Sequence, residues 1–462
     1  MKEFRHSLSR NWAGLRYRLG EARWARSMWR RLRSPRRSVK MRTEVERNIH
    51  YLYVEVFWAA IFSAVFSFSA TYALRLGATD QMLGWLSSIP SLFAMFMMVP
   101  VARFLESRSE SHLWTNGALF VGRVGFLMVA FVPWLFPQHA AEVIVALLIA
   151  RTIPITFFNT GFGPMLADVI PERDRSAVFA NRSIILSGVT AVVTFASGKW
   201  LDAAQSLHWA AFPFNYQLLY VVGGLSALAS AYFVTQIKPP PSGPVAAAPK
   251  LERTRWTLTK LKDIAADMVS ERRDFSVIIL NTLVFNLGAW LVMPLYTILF
   301  VRQLEASDSW IGLNTTLANL GVIVGYALWR RWLPRIGEGR ALRLTVPLSA
   351  SYAFLVALFP NLTLILIWGI LINLINPGVN LSHTNVFYRV CPEERRASYM
   401  AIYASIMNVG AFVCPMIGVA LSAVMDIRWV LVIGGVVRLL GASMFSILRI
   451  EDPQAAEAPA VV

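Results

Sequence analysis

The residues that could do chemistry in this chain are charges and amides set inside long apolar runs. Arg123, Arg151 (in LLIARTIPI) and Arg438 each stand within such a run, and Glu55 is the one carboxylate clearly inside one. A charge held in hydrocarbon is expensive, so each carries a functional reading by default. For Arg151 that reading is an anionic ligand or a coupling role, set against a structural ion pair. Arg123 and Arg438 read more readily as structural cations bonding carbonyls between helices. Glu55 is a candidate for taking up a proton, with an interfacial, snorkelling carboxylate as the plainer alternative.

The amides and hydroxyls follow helical spacing. Asn373, Asn376, Asn380 and His383 fall at i, i+3, i+7 and i+10, one face of a helix. Thr152, Thr156 and Asn159 make a shorter stripe beside Arg151, and Asn281 and Asn286 add two more amides. Together these ten residues, Arg151 among them, are the expected binding set. Bonding between packed helices is the competing use of such side chains. His383 is also a candidate proton site, because imidazole changes charge near neutral pH. Pro154, and Pro377 with Gly378, interrupt two of these helices and are the expected hinges.

Such stripes need long helices in lipid to position them, and the composition supplies them. Of 462 residues, 56% are hydrophobic and 15% charged, whereas soluble domains carry about 25% charged residues. That composition excludes a soluble multidomain protein. Apolar runs near the roughly 20 residues that cross a bilayer recur at 49–76, 82–105, 112–136, 140–167, 177–201, 213–237, 275–300, 309–333, 341–360, 361–389, 397–425 and 428–449. The chain therefore divides into a basic N-terminal arm (1–48), six spans (49–237), a linker (238–274), six spans (275–450) and a tail (451–462). The linker opens with KPPPSGPVAAAPK, which no helix interior accommodates. Of the 44 Lys and Arg, 37 fall in or at the ends of the segments that share a side with the termini, and four on the other. Both termini are expected in the cytoplasm, in a multi-pass cytoplasmic (inner) membrane protein.

The net charge of +17 owes +11 to the first 50 residues, with 15 basic and four acidic side chains. Leu8, Trp12, Leu15 and Leu19 give the arm a roughly helical apolar face, and its expected partner is anionic lipid. Nucleic acid is not expected. Cys391 and Cys414 form neither a disulfide framework nor a metal site, and no cofactor is expected.

The two sets of spans repeat each other. LGATDQMLG (76–84) lies over LEASDSWIG (304–312) at a shift of 228, which also lays Arg103 on Arg331. At a shift of 221, residues 158–180 lie over 379–401, matching Asn159 with Asn380, Pro171 with Pro392, Glu172 with Glu393 and Arg175 with Arg396. Six spans per repeat make the halves parallel. This all-α arrangement of twelve helices in two parallel six-helix repeats resembles the major facilitator superfamily over roughly residues 45–450. ARFLESRSES (102–111) offers Glu106 at the acidic position of the superfamily's loop 2–3 motif and lacks its glycines. RRWLPRIGEGR (330–340) keeps Arg335, Gly337 and Arg340 of the corresponding motif.

The resemblance implies that spans 1, 4, 7 and 10 line a central cavity, and that the loop charges Arg103, Glu106, Glu172, Arg175, Arg331, Arg335, Glu393 and Arg396 gate it from the cytoplasm. The expected function is a secondary transporter moving a small organic solute, anionic or amphipathic, by alternating access. A proton or sodium gradient, or facilitated diffusion, would drive it, and a monomer is the usual state of the resembled fold. No phosphate-binding Gly-x-x-x-x-Gly-Lys motif, Ser/His/Asp set or His-Glu-x-x-His zinc motif is present, so an enzyme is not expected. The competing reading is a transporter-like scaffold that docks a partner through its basic arm.

Overall fold

Twelve helices of the described residues are long and apolar enough to cross a membrane, as the apolar runs predict. A computed structural model describes residues 44–108, 110–238, 273–391 and 396–448. The first 43 residues of the arm, nearly all of the linker and the tail lie outside them. The helices are α1 (Glu44–Arg75), α2 (Asp80–Glu106), α3 (Ser111–Leu135), α4 (Ala140–Leu166), α5 (Ala177–Gln205) and α6 (Phe214–Thr235). The second set comprises α7 (Arg273–Gln303), α8 (Asp308–Ile336), α9 (Glu338–Leu358), α10 (Leu362–Val390), α11 (Ile402–Ser422) and α12 (Ile427–Ile447). Two units are distinguished, Met1–Arg47 and Asn48–Val462. Of the first, only the opening turn of α1 is described, where Arg47 reaches Glu44 at 3.4 Å. The second unit contains everything that follows.

Many of its exposed residues are large and apolar, Phe96, Trp134, Val192 and Leu440 among them. In water such a surface would aggregate; against lipid it is the expected exterior. Within the C-terminal half, α7 packs on α11 and α12, α9 on α10 and α12, and α8 on α10. The halves meet where α5 packs on α8 and α2 on α11. The first of these contacts depends on small residues. A Cβ on Gly198 would lie 2.6 Å from the Asp308 carbonyl oxygen, and one on Gly312 would lie 2.8 Å from that of Thr194.

The repeat extends to backbone detail at the turns after α1 and α7. Gly77 has φ +96°, and the residue 228 positions on, Glu305, has φ +47°. Thr79 caps α2 by accepting from the Met82 amide, and Ser307 caps α8 by accepting from the Trp310 amide. Left-handed backbone at a residue with a Cβ costs about 1 kcal/mol. Glu305→Gly is therefore expected to raise the melting temperature slightly, by a few degrees at most, and the mirror change Gly77→Glu to lower it. Melting curves of the two variants in one detergent check the pair, and a stabilised Gly77→Glu would contradict it.

Candidate functional site

The two halves are tied together at the end of the bundle where α1 leads into α2 and α7 into α8. Arg75, the last residue of α1, donates from Nε to Asp308 Oδ1 at 2.9 Å and from Nη2 to the Ala306 carbonyl at 3.1 Å. Arg302, near the end of α7, bonds Asp80 and the Ala78 carbonyl. The shift of 228 that relates Thr79 to Ser307 carries Ala78 onto Ala306 and Asp80 onto Asp308. Each half thus reaches across with an arginine and receives the other's arginine on equivalent atoms. The arginines themselves differ by 227 positions. The extra residue between Arg302 and Asp308 is taken up in the π-helical turn Leu299–Gln303, since a π turn holds one residue more than an α turn. The acceptors agree: the Ala78 amide bonds the Ala73 carbonyl, and the Ala306 amide bonds that of Phe300.

The two locks are chemically equivalent and energetically different. The Asp308 side chain is 2% exposed. Its Oδ1 also accepts from the Tyr216 hydroxyl at 2.6 Å, and Tyr216 is fixed by stacking on Tyr72 with ring centroids 4.6 Å apart. From α5, Asp202 accepts the Asp308 and Ser309 amides at 3.0 Å each, holding the start of α8. Charge-assisted bonds of this kind contribute about 1.5–3 kcal/mol. Arg302 and Asp80 are 40% and 37% exposed, where a pair is worth at most about 1 kcal/mol.

A second cluster occupies the interior of the N-terminal half. Glu55 is buried, pairs with Arg182 of α5 at 2.8 Å and accepts from Ser230 of α6 at 3.1 Å. Arg182 also donates to the Leu52 carbonyl at 2.6 Å. Arg182, in the second turn of α5, belongs with the intramembrane charges. Deeper in, Arg123 lies 3.9 Å over the Phe62 ring, and Arg151 lies 5.4 Å from the same ring and 4.7 Å over Phe66. Neither arginine makes an ion pair among the described residues. Nε and Nη1 of Arg123 and Nε of Arg151 are sealed from solvent with no hydrogen-bond partner. A desolvated cation over an aromatic face recovers about 2 kcal/mol, against several for burying each ion.

The backbone at Arg151 explains its position. α4 is interrupted there, an α-helix ending at Ala150 and another starting at Thr152. Pro154 has no N–H to offer the Ala150 carbonyl, and Thr152 turns its hydroxyl onto the Ile149 carbonyl at 2.6 Å. Thr156 bonds the Thr152 carbonyl of its own helix, so these hydroxyl protons are spent locally rather than between helices. Asn159 is exposed.

In the C-terminal half the amide stripe is divided by its surroundings. Asn373 donates to the Gly369 carbonyl of its own helix. Asn376 accepts from Ser349 at 2.8 Å, and Ser349 accepts in turn from Arg438 at 3.1 Å, whose guanidinium rests on Phe285. Asn380 is exposed and Asn286 half-buried, while Asn281 is fully enclosed with neither amide atom bonded. His383 meets Thr282 of α7 at 2.8 Å, which joins α7 to α10. α10 continues as one helix through Pro377–Gly378. Gly378 admits the Trp329 ring, which a Cβ would approach to 2.5 Å.

Of the expected gating charges, Arg103, Glu106, Arg331 and Arg335 are exposed and make no ion pair among the described residues. Arg175 folds back on the Ile170 carbonyl at 3.1 Å. Glu172 and Arg396 begin their helices, and Glu393 lies outside the described residues. Sequence reasoning missed Arg75, Arg302, Asp202, Tyr216, Arg182 and Thr282. The available signal was the repeat around Asp80 and Asp308, whose carboxylates sit at the first residue of a capped helix in both halves.

The described residues form a polytopic helical bundle with two matched halves, joined to each other at one end by polar bonds. The model of the Major Facilitator Superfamily matches residues 278–461. A bacterial homologue of the human lysosomal transporter Spinster, solved inward-facing and unoccupied, is 13% identical over 88% of this chain and 97% of its own, with TM-score 0.60. The nucleoside transporter NupG is 13% identical over 87% and 100%, with TM-score 0.61. A POT family transporter solved with a thioalcohol-conjugated peptide is 10% identical over 87% and 96%, with TM-score 0.62. No curated protein sequence matches the chain. The family match covers the C-terminal half, and the described bundle shares the fold of these solved transporters.

Proposed function

We propose that the chain is a transporter of the major facilitator type that moves a small organic solute bearing negative charge across the cytoplasmic membrane by alternating access, with both termini in the cytoplasm. In that orientation the Arg75–Asp308 end faces outward, and the described state is closed to the outside. The carrying observation is the pair of guanidiniums, Arg123 and Arg151, held in the N-terminal interior with no ion pair among the described residues and with Nε of each unbonded. The amides and hydroxyls of α4, α7 and α10 supply neutral donors and acceptors for the rest of the solute. Arg103, Glu106, Glu172, Arg175, Arg331, Arg335, Glu393 and Arg396 are the charges that would close the inner mouth once the outer lock opens. A proton or sodium gradient would supply the drive, with Glu55 and His383 as the coupling candidates. The arm would rest on anionic lipid, and a monomer is the expected working state.

A solute library of organic anions, cations and neutral compounds tests this reading by thermal stabilisation of the purified protein, followed by uptake into proteoliposomes. An organic anion is expected to raise the melting temperature in proportion to RT ln(1 + [L]/Kd) and to be taken up. Silence across the library with a folded protein, and no uptake, would sink transport and favour a scaffold.

A further inference from the structure

The interior of the N-terminal half carries more positive charge than one monoanion would balance. Arg123, Arg151 and Arg182 face a single carboxylate, Glu55, and Glu55 is already engaged by Arg182 and Ser230. Arg side chains do not give up their protons in proteins, so two full charges remain on Arg123 and Arg151. Each repels the other's charge, and both stand at one ring, Phe62. Aromatic faces offer a cation attraction but accept no conventional N–H bond, so the orphaned Nε and Nη1 groups stay unanswered. An oxyanion with two charges and several acceptor oxygens answers both deficits at once, because guanidinium forks match such groups in geometry. Phe66, whose ring faces the Arg151 guanidinium at 4.7 Å, is 40% exposed. Phe66 is also the last residue before the break in α1.

We infer that Arg123 and Arg151 form a binding site for a compact dianionic oxyanion group, the head of a phosphomonoester or its equivalent. This rests on the proposed transport of an anion and narrows it to a class. A monocarboxylate would leave one cation uncompensated, and a neutral solute would leave both.

The test is titration calorimetry on the purified full-length protein with headgroup probes alone: phosphate and sulfate as compact dianions, succinate as a spread one, nitrate and acetate as monoanions. Sulfate and phosphate are expected to bind at least tenfold more tightly than nitrate or acetate, with succinate between. Arg151→Lys, which keeps the charge and loses the fork, should weaken sulfate at least tenfold, while Arg108→Gln on the surface leaves it unchanged. Arg123→Met provides a readout that a structural role would move the other way. It should abolish sulfate binding and raise the melting temperature of the protein without anion, because a buried charge kept for a ligand burdens the fold. A lowered melting temperature with sulfate binding retained would overturn the inference, as would equal affinity for nitrate and sulfate. Uptake of a neutral solute without dianion preference would overturn it and leave transport standing. Sulfate binding that depends on Arg151, with no solute carried at all, would do the reverse.

Discussion

Asp308→Ala should open the end of the bundle where Arg75 meets Asp308. In the locked state Asp308 is the shared acceptor of Arg75 and Tyr216, and it is nearly free of solvent. Removing the carboxylate leaves a guanidinium and a phenol facing apolar surroundings without their acceptor. When the halves separate, both groups find water, so the loss falls on the locked state alone. Breaking a buried charged pair in this way costs about 3 kcal/mol, a shift of roughly a hundredfold in the open-to-locked ratio. Asp80→Ala removes the equivalent acceptor from the exposed lock and should shift the ratio by less than about fivefold. Spin labels at Leu207, between α5 and α6, and at Phe359, between α9 and α10, report on the outcome, since both side chains are exposed. The distance distribution of Asp308→Ala should gain a longer component, and that of Asp80→Ala should stay close to the parent. Two identical distributions would mean that burial does not distinguish the locks, and the account of closure at this end would fail.

The asymmetry of the locks marks the boundary of what the sequence could disclose. Twelve spans, their division into two halves and the equivalence of Thr79–Asp80 with Ser307–Asp308 all follow from local patterns, because hydropathy and capping act within a few residues. The crossing of Arg75 to Asp308 joins residues 233 positions apart, and Arg302 falls one residue out of register through its π turn. Neither has a local signature. Single-sided loops also look alike in sequence, so Arg75 and Arg302 counted only as minor charges on the sparsely basic side. At the other end, Arg103 and Arg331 match in sequence and stand exposed, with no ion pair among the described residues. Matched positions in two repeats therefore reported symmetry of construction, and burial decided which pair works in the described state. In the interior, Asn281 and Asn286 have the same side chain on the same helix. One is sealed and one half-buried, because helical phase toward the neighbouring helices, rather than residue type, sets the environment.

Glu55→Gln is expected to be the most destabilising change of shape-conserving type in the N-terminal half. The amide keeps the Ser230 bond and the volume, and Arg182 keeps the Leu52 carbonyl at 2.6 Å. What is lost is the negative charge, in a region where Arg123, Arg151 and Arg182 then stand together with no carboxylate among them. Removing one member of a buried pair costs about 3–5 kcal/mol, and at about 2–4 °C per kcal/mol for a large domain the melting temperature should fall by roughly 6 °C or more. Arg182→Gln alone should be milder, because it leaves Glu55 near Arg123, whose charge it already feels. The double variant Glu55→Gln/Arg182→Gln should recover most of the loss, since the pair leaves together. Adding sulfate separates this cost from the ligand site. If Arg123 and Arg151 hold the dianion, sulfate should stabilise Glu55→Gln by more degrees than the parent, because the variant interior carries one more uncompensated charge for the anion to offset. A melting temperature unchanged by Glu55→Gln would sink the pair as a structural element. A fall that the double variant does not recover would place the loss in Glu55's field on Arg123 and not in its bond to Arg182.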